Sequence, residues 1–227
     1  MKVALIGKGN LGTHLYQVLN EKVDLQWYGR DFPNSIDADI VIVSISDSQT
    51  AKVCAQIDAP LVVHTAGALS MLDQDNAGVF YPLYSFTKDA AVDWTQIPFL
   101  IETCDAQHIG KLEKLVHAIG AKQYHITSEQ RTKLHAAAVM VNNFTNHLYT
   151  LAQEHCQEYQ LPFEVLHAIM KQGPNKAIEL GPQNAQTGPA SRGDQSTVNA
   201  HLEQINNPLT RELYSLLSES IFKRNEL

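Results

Sequence analysis

"LIGKGNLGTHL" (residues 5–15) decides how the rest of the chain is read. An apolar run, KVALI at 2–6, feeds three glycines, Gly7, Gly9 and Gly12, and residues 11–19 then carry helical spacing. In a strand–turn–helix setting each glycine has its own job. Gly7 permits the tight turn, Gly9 lets the backbone approach a pyrophosphate, and Gly12 lets the helix pack close to the strand. The helix N-terminus adds unpaired N–H groups and a partial positive charge. The same glycines could serve the turn alone, so the reading depends on the residues beyond them.

From residue 25 onward, strand and helix signals alternate. Leu25–Tyr28, DIVIVSI at 39–45, PLVVH at 60–64, and residues 78–81 and 98–102 read as strands. Their near-continuous β-branched runs suit strands buried on both faces. Residues 105–119 have helical spacing and stop at Gly120, and 123–126 reads as a last strand. This order predicts an α/β, Rossmann-like domain with a doubly wound, mostly parallel sheet. Near Thr127 the pattern changes. Thr127 and Gln130 form a capping box, and helical spacing then continues through Tyr159. Leu134, Ala138, Val141, Leu148, Leu151 and Ala152 supply its apolar face. Further helices are expected from Pro162 to about 180 and over 196–206 and 208–222, around a Gly/Pro/Asn/Gln-rich stretch at 181–195. The expected domains are therefore 1–127, dinucleotide-binding, and 128–227, all-helical.

Composition narrows the classes. The 227 residues are 44% hydrophobic and 18% charged, as in ordinary globular chains. A net charge of −7 with no basic run argues against a nucleic-acid partner. No run of about 18 apolar residues exists, so no membrane span is expected, and the apolar run in MKVALIGKG is too short for a signal peptide. Cys54, Cys104 and Cys156 are odd in number and far apart, which disfavours a disulfide framework or CxxC zinc site and fits a reducing cytoplasm. The ten histidines lack metal-ligand spacing, so no metal is expected.

Several residues stand out chemically. In WYGRD (27–31), Arg30 falls where an acidic residue would bind the ribose of NAD. An arginine there favours the 2′-phosphate of NADP, with NAD still open. His64 ends a buried strand, where it is placed either for acid/base work or to hold the HTAGALS turn. YPLYSFT (81–87) reads as pocket wall or core. His135 and Asn142 share a helical face, and with Asn143 they would hold a substrate or tie helices together. In TGPASRGDQSTVNAHL (187–202), Arg192 is a candidate anion clamp, while Asp194 reads as a helix N-cap.

GKGNLGTHL, HTAGALS, YPLYSF, KLHAAAVMVNNF and TGPASRGDQSTVNAHL, in this order, span nearly the whole chain. Together they resemble a family of predicted oxidoreductases with a Rossmann-like N-terminal domain and a DUF2520 C-terminal domain. The architecture looks like that of pyrroline-5-carboxylate reductases and β-hydroxyacid dehydrogenases. That resemblance implies a homodimer through the helical domain and an active site between the domains. One departure matters: where β-hydroxyacid dehydrogenases carry a catalytic lysine four residues before an asparagine, this chain has Val139 before Asn143. The resulting expectation is an NADP(H)-dependent oxidoreductase acting on a small carbonyl or imine substrate. Gly7, Gly9, Asn10, Leu11 and Gly12 would hold the pyrophosphate, Arg30 the 2′-phosphate, and Ser44 and Ser46 would lie along the nicotinamide ribose. His64 or His135 would supply the proton, and Asn143 and Arg192 would orient the substrate. The alternative is a non-catalytic NAD(P)-binding sensor or interaction protein, motivated by the missing lysine.

Overall fold

A computed structural model describes residues 1–225. The chain divides into two compact units, Met1–Val141 and the residues from Asn142 onward. The first contains β1 (Lys2–Ile6), α1 (Asn10–Leu19), β2 (Asp24–Tyr28), β3 (Ile40–Val43), α2 (Asp47–Cys54) and β4 (Val62–His64). β5 (Ala77–Pro82), β6 (Pro98–Thr103), α3 (Ala106–Ile119), β7 (Lys122–His125) and α4 (Ser128–Ala138) complete it.

The seven strands form one sheet in the order β2-β1-β3-β4-β5-β6-β7. All neighbours are parallel except β5 and β6, which pair antiparallel from Gly78 opposite Thr103 to Pro82 opposite Phe99. The period-2 direction of strand side chains explains the β-branched runs. Val3, Leu5, Ile40, Ile42 and Val63 enter one buried cluster with Leu15 and Leu19 of α1 and Leu112, Leu115 and Val116 of α3. Ala4, Ile6, Val41, Val43 and Val62 enter the opposite cluster with Ile36, Cys54 and Ile57. Each fully buried Leu- or Ile-sized side chain contributes about 2 kcal/mol of transfer free energy. The sheet core therefore dominates this unit's stability.

Local signals end the helices as expected. The Asp105 carboxylate accepts a hydrogen bond from the Gln107 N–H at 2.8 Å, and Gly120 takes a left-handed conformation (φ 86°) beyond α3. Thr127 and Gln130 form the capping box that opens α4. α2 carries no such signal in the sequence, because DSQTAKVC buries only Thr50 and Cys54 and offers no apolar periodicity.

The second unit is helical. A π-helical turn, Val139–Phe144, leads into α5 (Thr145–Glu158). The α-helical spacing that aligns His135 with Asn142 is broken there, because a π turn holds an extra residue. A 3₁₀ turn over Phe163–Leu166 precedes α6 (His167–Leu180), so the α-helix starts five residues after Pro162. α7 (Pro182–Ala185), a 3₁₀ turn at Ala190–Arg192, α8 (Gln195–Gln204) and α9 (Pro208–Asn225) complete the unit. Among its described residues only Cys156, Ala190, Val198 and Ile205 are buried apolar positions. Leu148 of the anticipated apolar face is 42% exposed and Ile178 of α6 is 83% exposed. Helical spacing marks an apolar face correctly; it does not say that this unit itself covers the face.

Candidate functional site

Because β1 to β5 run parallel, their carboxyl ends meet at one edge of the sheet. The chain passes from β1 outward to β2 and returns to β3 on the other side, which makes the β1/β3 boundary the topological switch point. A cleft of about 1050 Å³ lies there. It gathers Gly7, Gly9, Asn10, Leu11, Gly12, Arg30, Ser44 and Ser46, the eight residues singled out for cofactor contact.

The glycine loop is built by close backbone approaches. Gly7 has φ 119°, and a Cβ there would sit 1.9 Å from the Ser44 carbonyl oxygen. A Cβ on Gly12 would lie 2.4 Å from the Gly7 carbonyl oxygen, so α1 packs directly on the turn. Gly9 differs: a Cβ there meets nothing within 4 Å, because that position faces open space. Gly9 is also the N-cap of α1 and no side chain caps the helix. Its leading N–H groups are thus presented to an anion without a competing carboxylate. Trp27 fixes the loop, donating its indole N–H to the Gly7 carbonyl at 2.8 Å while its ring stacks on Tyr16. The Asn10 side chain donates to the Phe86 carbonyl at 3.4 Å, so it is tied across to the segment after β5 rather than capping α1.

At the rim, exposed Arg30 lies beside Gly29, and Lys8 extends over the Trp27 ring with its ammonium 4.9 Å from the centroid. The sequence reading misses Lys8, although GKG carries it inside the loop. The two cations place positive charge at the rim of the glycine loop, of the kind that would pair with a phosphate. Ser44 is nearly buried against the loop, and Ser46 caps α2 with its side chain unused in that cap. A cradle with an open central glycine, an uncapped helix start and two rim cations fits a phosphorylated dinucleotide.

The two candidate proton donors sit in different environments. His64 is 1% exposed; its Nδ1 accepts from the Ala66 N–H at 3.2 Å, so Nε2 carries the proton toward the Ser70 carbonyl at 3.3 Å. Burial, reinforced by the nearby Arg131 guanidinium, pushes it down to about 4. Both ring nitrogens are occupied within the turn, and the imidazole stays neutral through neutral pH, which is the turn-holding alternative of the sequence reading. His135 is half-buried on α4, with Nδ1 3.1 Å from the Tyr81 hydroxyl.

Beneath the turn lies a buried ion pair that the sequence does not signal. Arg131, fully buried, donates to Glu102 at 2.8 Å and to the Leu69 carbonyl at 2.6 Å. Ser128 donates its hydroxyl to Glu102 and accepts from the Met71 N–H, tying HTAGALS to β6 and to the start of α4. Such a pair is costly to break from one side, because the remaining charge is left buried.

Asn143 and Arg192 belong to the second unit. Asn143 lies exposed in the π-helical turn, and Arg192 lies exposed at the end of the 3₁₀ turn before α8. Asp194 is the α8 N-cap, accepting from the Thr197 N–H at 3.1 Å and from its hydroxyl at 2.7 Å. Those bonds hold its carboxyl down to about 2.

Known proteins of similar structure point the same way. The chain superposes on the crystal structure of a predicted NADP oxidoreductase from Bacteroides fragilis with a TM-score of 0.86, at 34% identity over 98% of each chain. A Thermotoga maritima protein matches with a TM-score of 0.77 at 20% identity over 99% of this chain and 98% of its own. An imine reductase from Myxococcus stipitatus, solved in complex with NADP+, matches with a TM-score of 0.64 at 11% identity over 100% and 93%. The last two show a shared fold. No curated protein matches in sequence. Residues 97–221, more than half of the chain, match the domain of unknown function DUF2520, and the chain belongs to that family.

Proposed function

We propose that this protein is an NADP(H)-dependent oxidoreductase acting on a small carbonyl or imine substrate. The observation that carries the reading is the cleft at the β1/β3 switch point, with its glycine cradle and the cations Arg30 and Lys8 at its rim. The similarity at 34% identity to a protein itself only predicted to be an NADP oxidoreductase supports it, as does the fold shared with an NADP+-bound imine reductase.

A bound nicotinamide dinucleotide would supply hydride chemistry at its ring carbon. The chain does the rest. Gly7, Gly9 and Gly12 with the N–H groups of Asn10 and Leu11 hold the pyrophosphate, and Arg30 and Lys8 hold the 2′-phosphate. Ser44 and Ser46 lie along the nicotinamide ribose. Of the two candidate histidines, His135 is favoured over His64 as the source of the proton, because both ring nitrogens of His64 are committed to the turn. Asn143 and Arg192 remain the proposed substrate-orienting residues. We also propose a homodimer through the helical unit, supported by the exposure of Ile169, Ile178 and Leu217 and by that unit's few buried apolar positions. A cytoplasmic setting is supported by three free cysteines.

The test is a pair of calorimetric titrations with NADPH and NADH, then a screen of 2-oxo acids, aldehydes and cyclic imines with the cofactor that binds. Saturable NADPH binding with turnover of one class supports the reading. Binding without turnover favours a nucleotide sensor, and no binding of either cofactor at millimolar concentration overturns the assignment.

A further inference from the structure

Tyr81 ends β5 at the same sheet edge as the glycine loop, since β5 runs parallel with β4 and, through it, with β3 and β1. Its hydroxyl is 3.1 Å from His135 Nδ1, and the two rings meet edge to face with centroids 6.1 Å apart. Gly67 of the HTAGALS turn lies against both. A Cβ there would come within 2.6 Å of His135 Nδ1, 2.7 Å of Tyr81 Cζ and 2.8 Å of the Tyr81 hydroxyl. The pair thus fits into space that only a glycine leaves free.

Its surroundings are electrostatically defined. Two charges act on the Tyr81 hydroxyl in opposite senses, Asp47, which lines the cleft at the start of α2, and the Arg131 guanidinium. Burial is the larger influence and keeps the phenol protonated. Glu102 neutralises Arg131, and His64 beyond it is neutral with both nitrogens bonded. The charges acting on the pair are therefore Asp47, Arg131 and Glu102, and the ionisable hydroxyl–imidazole pair at this sheet edge is Tyr81 with His135.

We propose that Tyr81 is the catalytic proton donor of the oxidoreductase and that His135 recharges it. This rests on the cofactor assignment above. In the reducing direction the substrate carbon receives a hydride, with its electron pair, from the dihydronicotinamide. The carbonyl oxygen or imine nitrogen takes the Tyr81 hydroxyl proton. The Tyr81 oxygen in turn takes the Nδ1 proton of the His135 imidazolium, and the neutral imidazole regains a proton from water. One hydride and one proton enter the substrate, two electrons leave the nicotinamide, and both side chains return to their starting states. The pair fills the role for which Val139 lacks an ionisable group.

Two variants test this, Tyr81→Phe and Gly67→Ala. The second leaves both functional groups in place but inserts a methyl group that displaces two side-chain ends rather than backbone. Three readouts are used: NMR titration of the His135 ring in the cofactor-free protein, NADPH affinity by calorimetry, and the pH profile of kcat with 2-oxo acids and cyclic imines. Both variants are expected to shift the His135 titration and to hold NADPH affinity within about threefold. They are also expected to lower kcat about 100-fold or more and to abolish the alkaline fall in rate expected of the wild type. An unmoved His135 titration overturns the proposal, as does a Tyr81→Phe rate within about threefold of wild type. NADPH binding without turnover anywhere in the panel also overturns it and leaves the cofactor assignment standing. Failure to bind NADPH overturns that assignment, and the proposal with it.

Discussion

The sheet unit and the helical unit use their apolar residues differently. In the first, Val3, Leu5, Ile40, Ile42 and Val63 face one side of the sheet and Ala4, Ile6, Val41, Val43 and Val62 the other, all almost fully buried. In the second, helices of comparable apolar content leave Ile169, Ile178 and Leu217 exposed, and α6 has no buried residue. A two-sided sheet core is self-sufficient and holds the cleft at its edge in a fixed geometry. A helical unit with four buried apolar positions among its described residues leaves most of its apolar surface exposed. A tightly packed cleft edge and a largely uncovered apolar face thus fall in different parts of one chain.

The sharpest way to break that contrast is at the tightest backbone contact. Gly7→Ala sets a Cβ 1.9 Å from a carbonyl oxygen at a positive φ. It is expected to cost more than about 3 kcal/mol and to abolish NADPH binding, measured by denaturant melts and calorimetry. Gly9→Ala, with open space at its Cβ, should leave stability within about 1 kcal/mol. Equal effects of the two would contradict the geometry of the cradle.

His64 gives the next effect, through pH. An unfolded chain protonates this residue near 6.5, the folded chain only near 4. Between those values the unfolded state binds more protons, so stability falls as pH falls, by about 3 kcal/mol for the full interval. Melts at pH 7.5 and 4 should show His64→Asn losing less stability than wild type over that interval. Equal losses would remove His64 from the acid sensitivity.

Arg30→Ala is expected to weaken NADPH binding about 10- to 100-fold while leaving NADH nearly unchanged, by calorimetry at fixed salt. A uniform loss for both would move the 2′-phosphate away from this rim. For the helical unit, Ile169→Lys with Ile178→Lys should raise the dimer dissociation constant at least about tenfold in sedimentation experiments while leaving NADPH affinity unchanged. A chain that is already monomeric at micromolar concentration would contradict the dimer.

Which parts are legible in the sequence depends on the range of each signal. β-branched runs, the Thr127–Gln130 capping box and Gly120 report on neighbours a few residues away, and those elements appear where expected. α2 is invisible at that level because DSQTAKVC buries too little to be periodic. The cleft residues are legible because the glycine motif is itself a local strand–turn–helix device. Tyr81 with His135, 54 residues apart, and Glu102 with Arg131, 29 apart, are tertiary pairings with no local pattern. His64 is ambiguous in sequence for the same reason: only the folded turn shows that Ala66 and Ser70 occupy both of its nitrogens.

The measurement that bears most directly on the central claim is calorimetric titration of the purified chain with NADPH and, in parallel, NADH. The account predicts one saturable NADPH site per chain, bound at least about tenfold more tightly than NADH and reduced to NADH-like affinity by Arg30→Ala. No binding heat with either cofactor at millimolar concentration would contradict it.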